Sequence, residues 1–166
     1  MNYIFRKIQK EDTESIWTLF HGLKEEKIDM SFAEVKDKEE IRNFIDNPAQ
    51  LTYVAVSEEN PNEVLCLVKG RREMTTEKRH AVFLSAATHP KVRGIGLVAK
   101  LTAYALEEMK KEGVTIARIY VYSNNKSSMN AIKKLDFIHA GTVLRHHKDP
   151  STGSYVDDLI YHRILG

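Results

Sequence analysis

The sequence predicts one α/β domain spanning residues 1–166, built on a mixed, mostly antiparallel sheet of about seven strands flanked by about four helices. Three observations carry this expectation. Apolar, β-branched runs and segments of helical period follow one another in the order β-α-α-β-β-β-α-β-α-β-β. Three strands cluster ahead of one central crossover helix, so antiparallel neighbours adjoin a parallel pair. The 166 residues contain no repeat, low-complexity tract or linker, which suits a single core.

Residues 2–9 read as a short strand. Asp12 stands where it can cap the next helix, whose Ile16, Leu19, Phe20 and Leu23 share one face. Ser31 and Glu34 have capping-box spacing ahead of the stripe Ile41, Phe44 and Ile45, and Asn47-Pro48 stops that helix. Residues 51–57, 63–71 and 79–88 read as an antiparallel meander, with a turn at Glu59-Asn60-Pro61-Asn62. A helix from Leu97 to Glu112 is closed by Gly113. Residues 115–122 form a strand, 126–135 a helix, and Phe137 opens another strand. Asp149-Pro150-Ser151-Thr152-Gly153 turns the chain into a last strand near 154–163.

A net charge of +2 gives no electrostatic footprint for nucleic acid. No stretch has transmembrane length and no apolar signal core opens the chain, so a cytoplasmic protein without a membrane partner is expected. Cys66 is the single cysteine, set in Val64-Leu65-Cys66-Leu67-Val68, and reads as a buried filler rather than a nucleophile.

The most informative segment is Thr88-His89-Pro90-Lys91-Val92-Arg93-Gly94-Ile95-Gly96-Leu97-Val98. A buried strand enters it and a helix leaves it. A helix start offers unpaired N–H groups and positive dipole, glycines let an anion approach, and Arg93 adds a full charge, so the expected guest is a phosphate or pyrophosphate. A P-loop would need Lys and Ser or Thr after its second glycine, and none is present. Gly94-Ile95-Gly96-Leu97-Val98-Ala99 does match the dinucleotide pattern G-x-G-x-x-A. However, it starts too far from its strand, and the next strand ends in Tyr122-Ser123-Asn124 without an acidic residue. Acyl-coenzyme A fits better: its pyrophosphate takes the helix start and its amide-bearing arm pairs with the exposed edge of strand 80–88.

These residues resemble the GNAT superfamily of N-acetyltransferases. Its motif V-x-P-x-x-R-G-x-G-I-G/A-x-x-L aligns with Thr88, Pro90, Arg93, Gly94, Gly96, Leu97, Val98 and Leu101, with Val98 replacing a small residue. A register shifted by two residues places Lys91, Gly94 and Gly96 on R/Q-x-x-G-x-G/A instead. Downstream, N-x-x-A-x-x-L-Y-x-K-x-G-F aligns with Asn125, Lys134 and Phe137, while Ser128, Ile132 and Asp136 depart from it. The resemblance implies an acyltransferase fold and acetyl-CoA as co-substrate, with no metal. It implies that Ala86, Ala87 and Thr88 hold the pantetheine arm, that Arg93, Gly94, Ile95, Gly96, Leu97 and Val98 hold the pyrophosphate, and that Asn125 and Ser128 flank the arm.

Transfer to a primary amine of a small molecule, peptide or protein would then be direct, in a ternary complex. A backbone N–H near Ala86 is the natural oxyanion donor. His80, thirteen residues before Arg93, falls where histone-type members carry a catalytic glutamate, and imidazole suits the work. His89 is a second base candidate. Ile132 stands at the usual acid tyrosine, which leaves Tyr120, Tyr122 and Ser123 nearby; Tyr122 is the acid candidate. Tyr155 and Asp157 are expected on the acceptor side, although Asp157 and Asp158 should face opposite ways unless a bulge intervenes. His146 and His147 should likewise face apart, on the surface, with no carboxylate–histidine cluster nearby. The exposed C-terminal strand offers an edge for a homodimer. The competing expectation is an acyl-CoA-binding regulatory or interaction module that has lost catalysis, motivated by Ile132 and the missing strand glutamate.

Overall fold

A computed structural model describes residues 2–26 and 35–166. The elements are β1 (Tyr3–Lys7), α1 (Thr13–Glu25), α2 (Lys38–Arg42), β2 (Gln50–Ser57), β3 (Val64–Arg71), β4 (Ala81–Thr88), α3 (Leu97–Lys111), β5 (Ile116–Tyr122), α4 (Lys126–Lys134), β6 (Ile138–Lys148) and β7 (Tyr155–Ile164). The expected order is reproduced. The capping pair Ser31 and Glu34 lies outside the described residues, and α2 is capped by Asp37, whose Oδ1 accepts from the Glu40 N–H at 3.1 Å.

The sheet order is β1-β2-β3-β4-β5-β7-β6. Every pairing is antiparallel except β4 with β5, the two strands that the α3 crossover joins. The C-terminal strand is therefore internal, which corrects the expectation of a free edge there. β7 hairpins back between β5 and β6, and β1 and β6 are the edges.

A core forms on each face. On one, α3 and α4 pack Leu97, Leu101, Ala105, Met109 and Ile132 against Val68, Val82, Leu84, Ala117 and Val121. On the other, α1 and α2 pack Ile16, Phe20, Leu23 and Ile41 against Val54, Val56, Val64, Leu67 and Ala87, residues of β2, β3 and β4 only. The glycine after α3 closes it as expected: Gly113 (φ 85) donates to Lys110 O and Val114 to Met109 O.

Asp12 does not cap α1 with its side chain. Its carboxylate accepts from the two terminal guanidinium nitrogens of Arg6, at 2.7 and 2.8 Å, and from the Gln9 N–H at 2.7 Å. A charged, bidentate partner holds a carboxylate more strongly than a neutral cap does.

Candidate active site

β4 leads into a short 3-10 turn, Pro90–Val92, and then Gly94 and Gly96, both left-handed with φ of 77 and 78. A side chain at either position would strain the backbone. The first helical hydrogen bond of α3 runs from Lys100 N to Gly96 O, so the amides of Leu97, Val98 and Ala99 precede the helical ladder. Gly94, Ile95 and Gly96 are exposed beside them. Arg93 reaches Glu26 at the C-terminal end of α1 (2.6 Å), and Lys91 pairs with Glu63 in the β2–β3 turn. This is an exposed, amide-bearing turn flanked by two cations that pair only with surface carboxylates.

Next to it the sheet opens. β4 pairs with β5 only through Ala81, Val82 and Phe83, against Ile116, Ala117 and Arg118. Beyond Phe83 the two strands diverge. The His89 N–H donates to Leu65 O at 2.7 Å, which fixes the alternation of the β3–β4 ladder. In that register Ala87 and Ser85 exchange hydrogen bonds with Leu67 and Lys69. The main-chain groups of Ala86 and Thr88, beyond the last residue paired with β5, therefore point into the opening. Ala87 does not share this: its amide faces β3 and its side chain is buried under α1.

Residues paired across a sheet share a face. Val121, Ala117 and Ile119 lie on the α3–α4 side, so Tyr120 and Tyr122 lie on the other. Phe83 stacks on Tyr120 at 5.3 Å, and Tyr120 is half exposed. Tyr122 pairs with Asp158 of β7, and its ring packs edge-on against His147 at 4.3 Å. His147 Nε2 lies 3.0 Å from Asp158 Oδ1, and His146 Nε2 3.7 Å from Oδ2. The expectation that His146 and His147 face apart without a carboxylate is thus corrected. The β6–β7 register shifts between Val143 and His147, and Arg145 takes a left-handed φ of 51, so the bulge turns both rings toward one carboxylate.

Of the two adjacent aspartates, Asp158 is 9% exposed and faces Tyr122, whereas Asp157 Oδ1 accepts the Arg145 N–H (2.8 Å) and ties down the bulge. Tyr155 is exposed, with the Arg145 guanidinium over its ring at 5.1 Å. His80 is exposed in the turn before β4, at the closed end of the splay, where its carbonyl accepts the Thr115 N–H. The structure does not bring it to the opening. His89 is half-buried at the other end of β4. Its Nδ1 accepts the Lys91 N–H (3.2 Å), and burial together with Lys91 lowers its pKa.

Residues 14–137 match the acetyltransferase (GNAT) family. The chain belongs to that family. Solved structures agree in fold. The acetyltransferase of GNAT family from Streptococcus pneumoniae is 16% identical, with 98% of this chain and 99% of that chain covered and a TM-score of 0.85. A GNAT superfamily phosphinothricin acetyltransferase from Sinorhizobium meliloti, in complex with AcCoA, is 18% identical over 100% and 90% of the two chains, TM-score 0.84. An N-acetyltransferase from Staphylococcus aureus Mu50 is 17% identical over 100% of both, TM-score 0.82.

Within this GNAT domain the departures from the downstream motif have structural readings. Asn125 caps α4, its side-chain oxygen accepting from the Ser128 N–H at 3.1 Å, so both residues sit at the helix start. Ile132 is 6% exposed and belongs to the core. Asp136, at the motif's glycine, takes the left-handed position that ends α4 (φ 63), with Phe137 donating to Ile132 O. Cys66 is fully buried and desolvation pushes its thiol up to about 11, which suits a filler. Among the described residues no helix is long and apolar enough to cross a membrane.

Lys69 of β3 pairs in register with Ser85 and lies 7% exposed, its ammonium 4.1 Å from the Phe44 ring centroid. Burial, with a smaller contribution from Arg71, lowers its pKa to about 8. Between about pH 8 and 10.5 the folded protein has shed this proton while the unfolded chain keeps it, so this group makes stability rise with pH. Cys66 and Tyr53, held neutral by burial, act in the opposite sense at high pH. Hence the comparison with Lys69→Met carries the sign. In urea unfolding the stability of the parent protein relative to the variant should be constant below about pH 8 and rise between about pH 8 and 10.5. A difference between the two proteins that does not change over that range would contradict the buried-ammonium reading.

Proposed function

We propose that the protein is an acetyl-CoA-dependent N-acetyltransferase acting on a primary amine of a small molecule, peptide or protein by direct attack in a ternary complex. The observation that supports it most is the β4–β5 splay opening onto the glycine-bounded start of α3. A pyrophosphate held by the Gly94–Val98 segment and Arg93 puts the attached arm against the inward-facing amides of Thr88 and Ala86. Asn125 and Ser128 at the start of α4 border that arm. In the Sinorhizobium relative the same fold holds AcCoA.

The Ala86 N–H is the oxyanion donor, since its amide has no strand partner and faces the thioester. Tyr122 supplies the acid. Amine deprotonation is assigned to His147, which lies beside Tyr122 and is oriented by Asp158, rather than to His80 at the far end of β4. Tyr155 borders the acceptor side from the same hairpin, while Asp157 contributes there by holding the bulge. With Cys66 buried, attack needs no cysteine intermediate.

Turnover tests the reading. Free thiol is measured after incubation with acetyl-CoA and a panel of amines; release that depends on a particular amine is expected, and none across a broad panel points to an acyl-CoA-binding module without catalysis. A second outcome concerns the phosphate loop. Arg93→Ala should weaken acetyl-CoA binding about tenfold or more by calorimetry. Its melting temperature should barely move, because the pair with Glu26 is solvent-exposed on both sides. Unchanged affinity would count against the phosphate assignment.

A further inference from the structure

We infer that His146, His147 and Asp158 form a binding site for a first-row divalent transition cation, zinc foremost. The inference stands apart from the acetyl-transfer reading, because it rests only on ligand chemistry and on the shape of the β6–β7 hairpin. One atom from each of the three side chains lies within 4.8 Å of the others. The two His–carboxylate separations, 3.0 Å to Oδ1 and 3.7 Å to Oδ2, lie near the ligand–ligand edge of about 3.3–3.5 Å that tetrahedral zinc with bonds near 2.0–2.1 Å requires, and the set as a whole, within 4.8 Å, must draw in to reach it. That adjustment falls to His146, whose side chain is 51% exposed and can turn about its rotamers. Two imidazoles and one carboxylate make an N₂O set, which suits zinc, cobalt, nickel or copper rather than calcium or magnesium.

The backbone argues the same way. Consecutive strand residues point to opposite faces, so two neighbouring histidines cannot ordinarily meet one carboxylate. Here a bulge with a left-handed, non-glycine Arg145 brings them there, and Asp157 holds the bulge through its bond to the Arg145 amide. A strained bulge kept in place by a dedicated carboxylate points to function. Asp158 is nearly buried, so its charge gains from a cation that water screens poorly. Three protein ligands leave a coordination position open to water. Where His147 serves as base, a cation on it competes with that role, so zinc would inhibit.

The test uses the full chain, tag-free and dialysed against chelator, titrated with cobalt(II) chloride and read by visible absorption, with zinc chloride followed by calorimetry. Expected are d–d bands saturating at one equivalent and one zinc bound. His146→Ala should weaken binding by about tenfold or more, since it removes one ligand of three. Asp158→Asn, close in shape and still able to pair with His147, should do the same without a change in fold by circular dichroism. His139→Ala, whose ring instead faces Tyr161, should leave binding intact. Absence of cobalt bands at a tenfold excess overturns the site, as does binding that His146→Ala and Asp158→Asn leave unchanged or that His139→Ala removes.

Discussion

Ala86→Pro should reduce acetyl transfer by roughly 10²–10³-fold, the cost of losing one oxyanion donor, while the protein stays folded. The reason lies in the ladder. The bonds of β4 to β3 pass through Ser85, Ala87 and His89, so the Ala86 N–H contributes to no strand pairing. Proline removes that one donor and places its ring in the opening beyond Phe83, the last β4 residue paired with β5. Ser85 before it is extended, as the residue before a proline must be. Ala87→Pro is the matched control, because there the lost N–H belongs to the bond with Leu67 and the variant should lose stability instead. Rates and melting curves for the pair separate the two effects, and coenzyme A affinity separates lost binding from a lost transition-state contact. Transfer within about twofold of the parent protein in Ala86→Pro would remove Ala86 from the mechanism.

What the sequence made legible follows from how local each feature is. Among the described residues alternation and helical period located the seven strands and four α-helices, since burial on one face writes itself into nearby residues. The glycine start of α3 was legible because left-handed backbone at Gly94 and Gly96 demands that residue type. The splay was not, since it depends on where β4 and β5 part company. Nor was the strand order: nothing in Tyr155–Ile164 says that it inserts between β5 and β6.

The candidate site shows the same division. His80 satisfied a spacing rule, yet spacing along one strand cannot say which end of that strand opens. Strict alternation sets His146 and His147 on opposite faces, and a bulge breaks it. A signal did exist in the hairpin. Between the ladder ends Ile138↔His162 and Lys148↔Tyr155, β6 runs through more residues than β7, so it must bulge. Reading it required knowing that the two strands pair. Asp12 illustrates competition: the cap signal was real, but Arg6 lay within reach and a charge-assisted pair prevailed.

That pair leads to the largest expected change in stability. Asp12→Ala should destabilise the fold by about 3–5 kcal/mol, as removal of one partner from a buried ion pair does. The Asp12 side chain is 2% exposed and receives three hydrogen bonds, two from Arg6 and one from the Gln9 amide. It holds the end of β1 against the start of α1, and in return raises the Arg6 pKa, chiefly through their hydrogen bond. Alanine there would leave a guanidinium only 21% exposed in its side chain with carbonyl hydrogen bonds to Lys7 and Pro61 and the weaker attraction of Glu11. Asp12→Asn keeps an acceptor and the shape but not the charge, and should fall between the two. Removing both ends, as Arg6→Met with Asp12→Leu, should restore part of the loss, because two apolar groups need no partner. Urea unfolding of the four proteins checks this order. A single Asp12→Ala loss under about 1 kcal/mol would mean the pair behaves as a surface contact and β1 is anchored elsewhere.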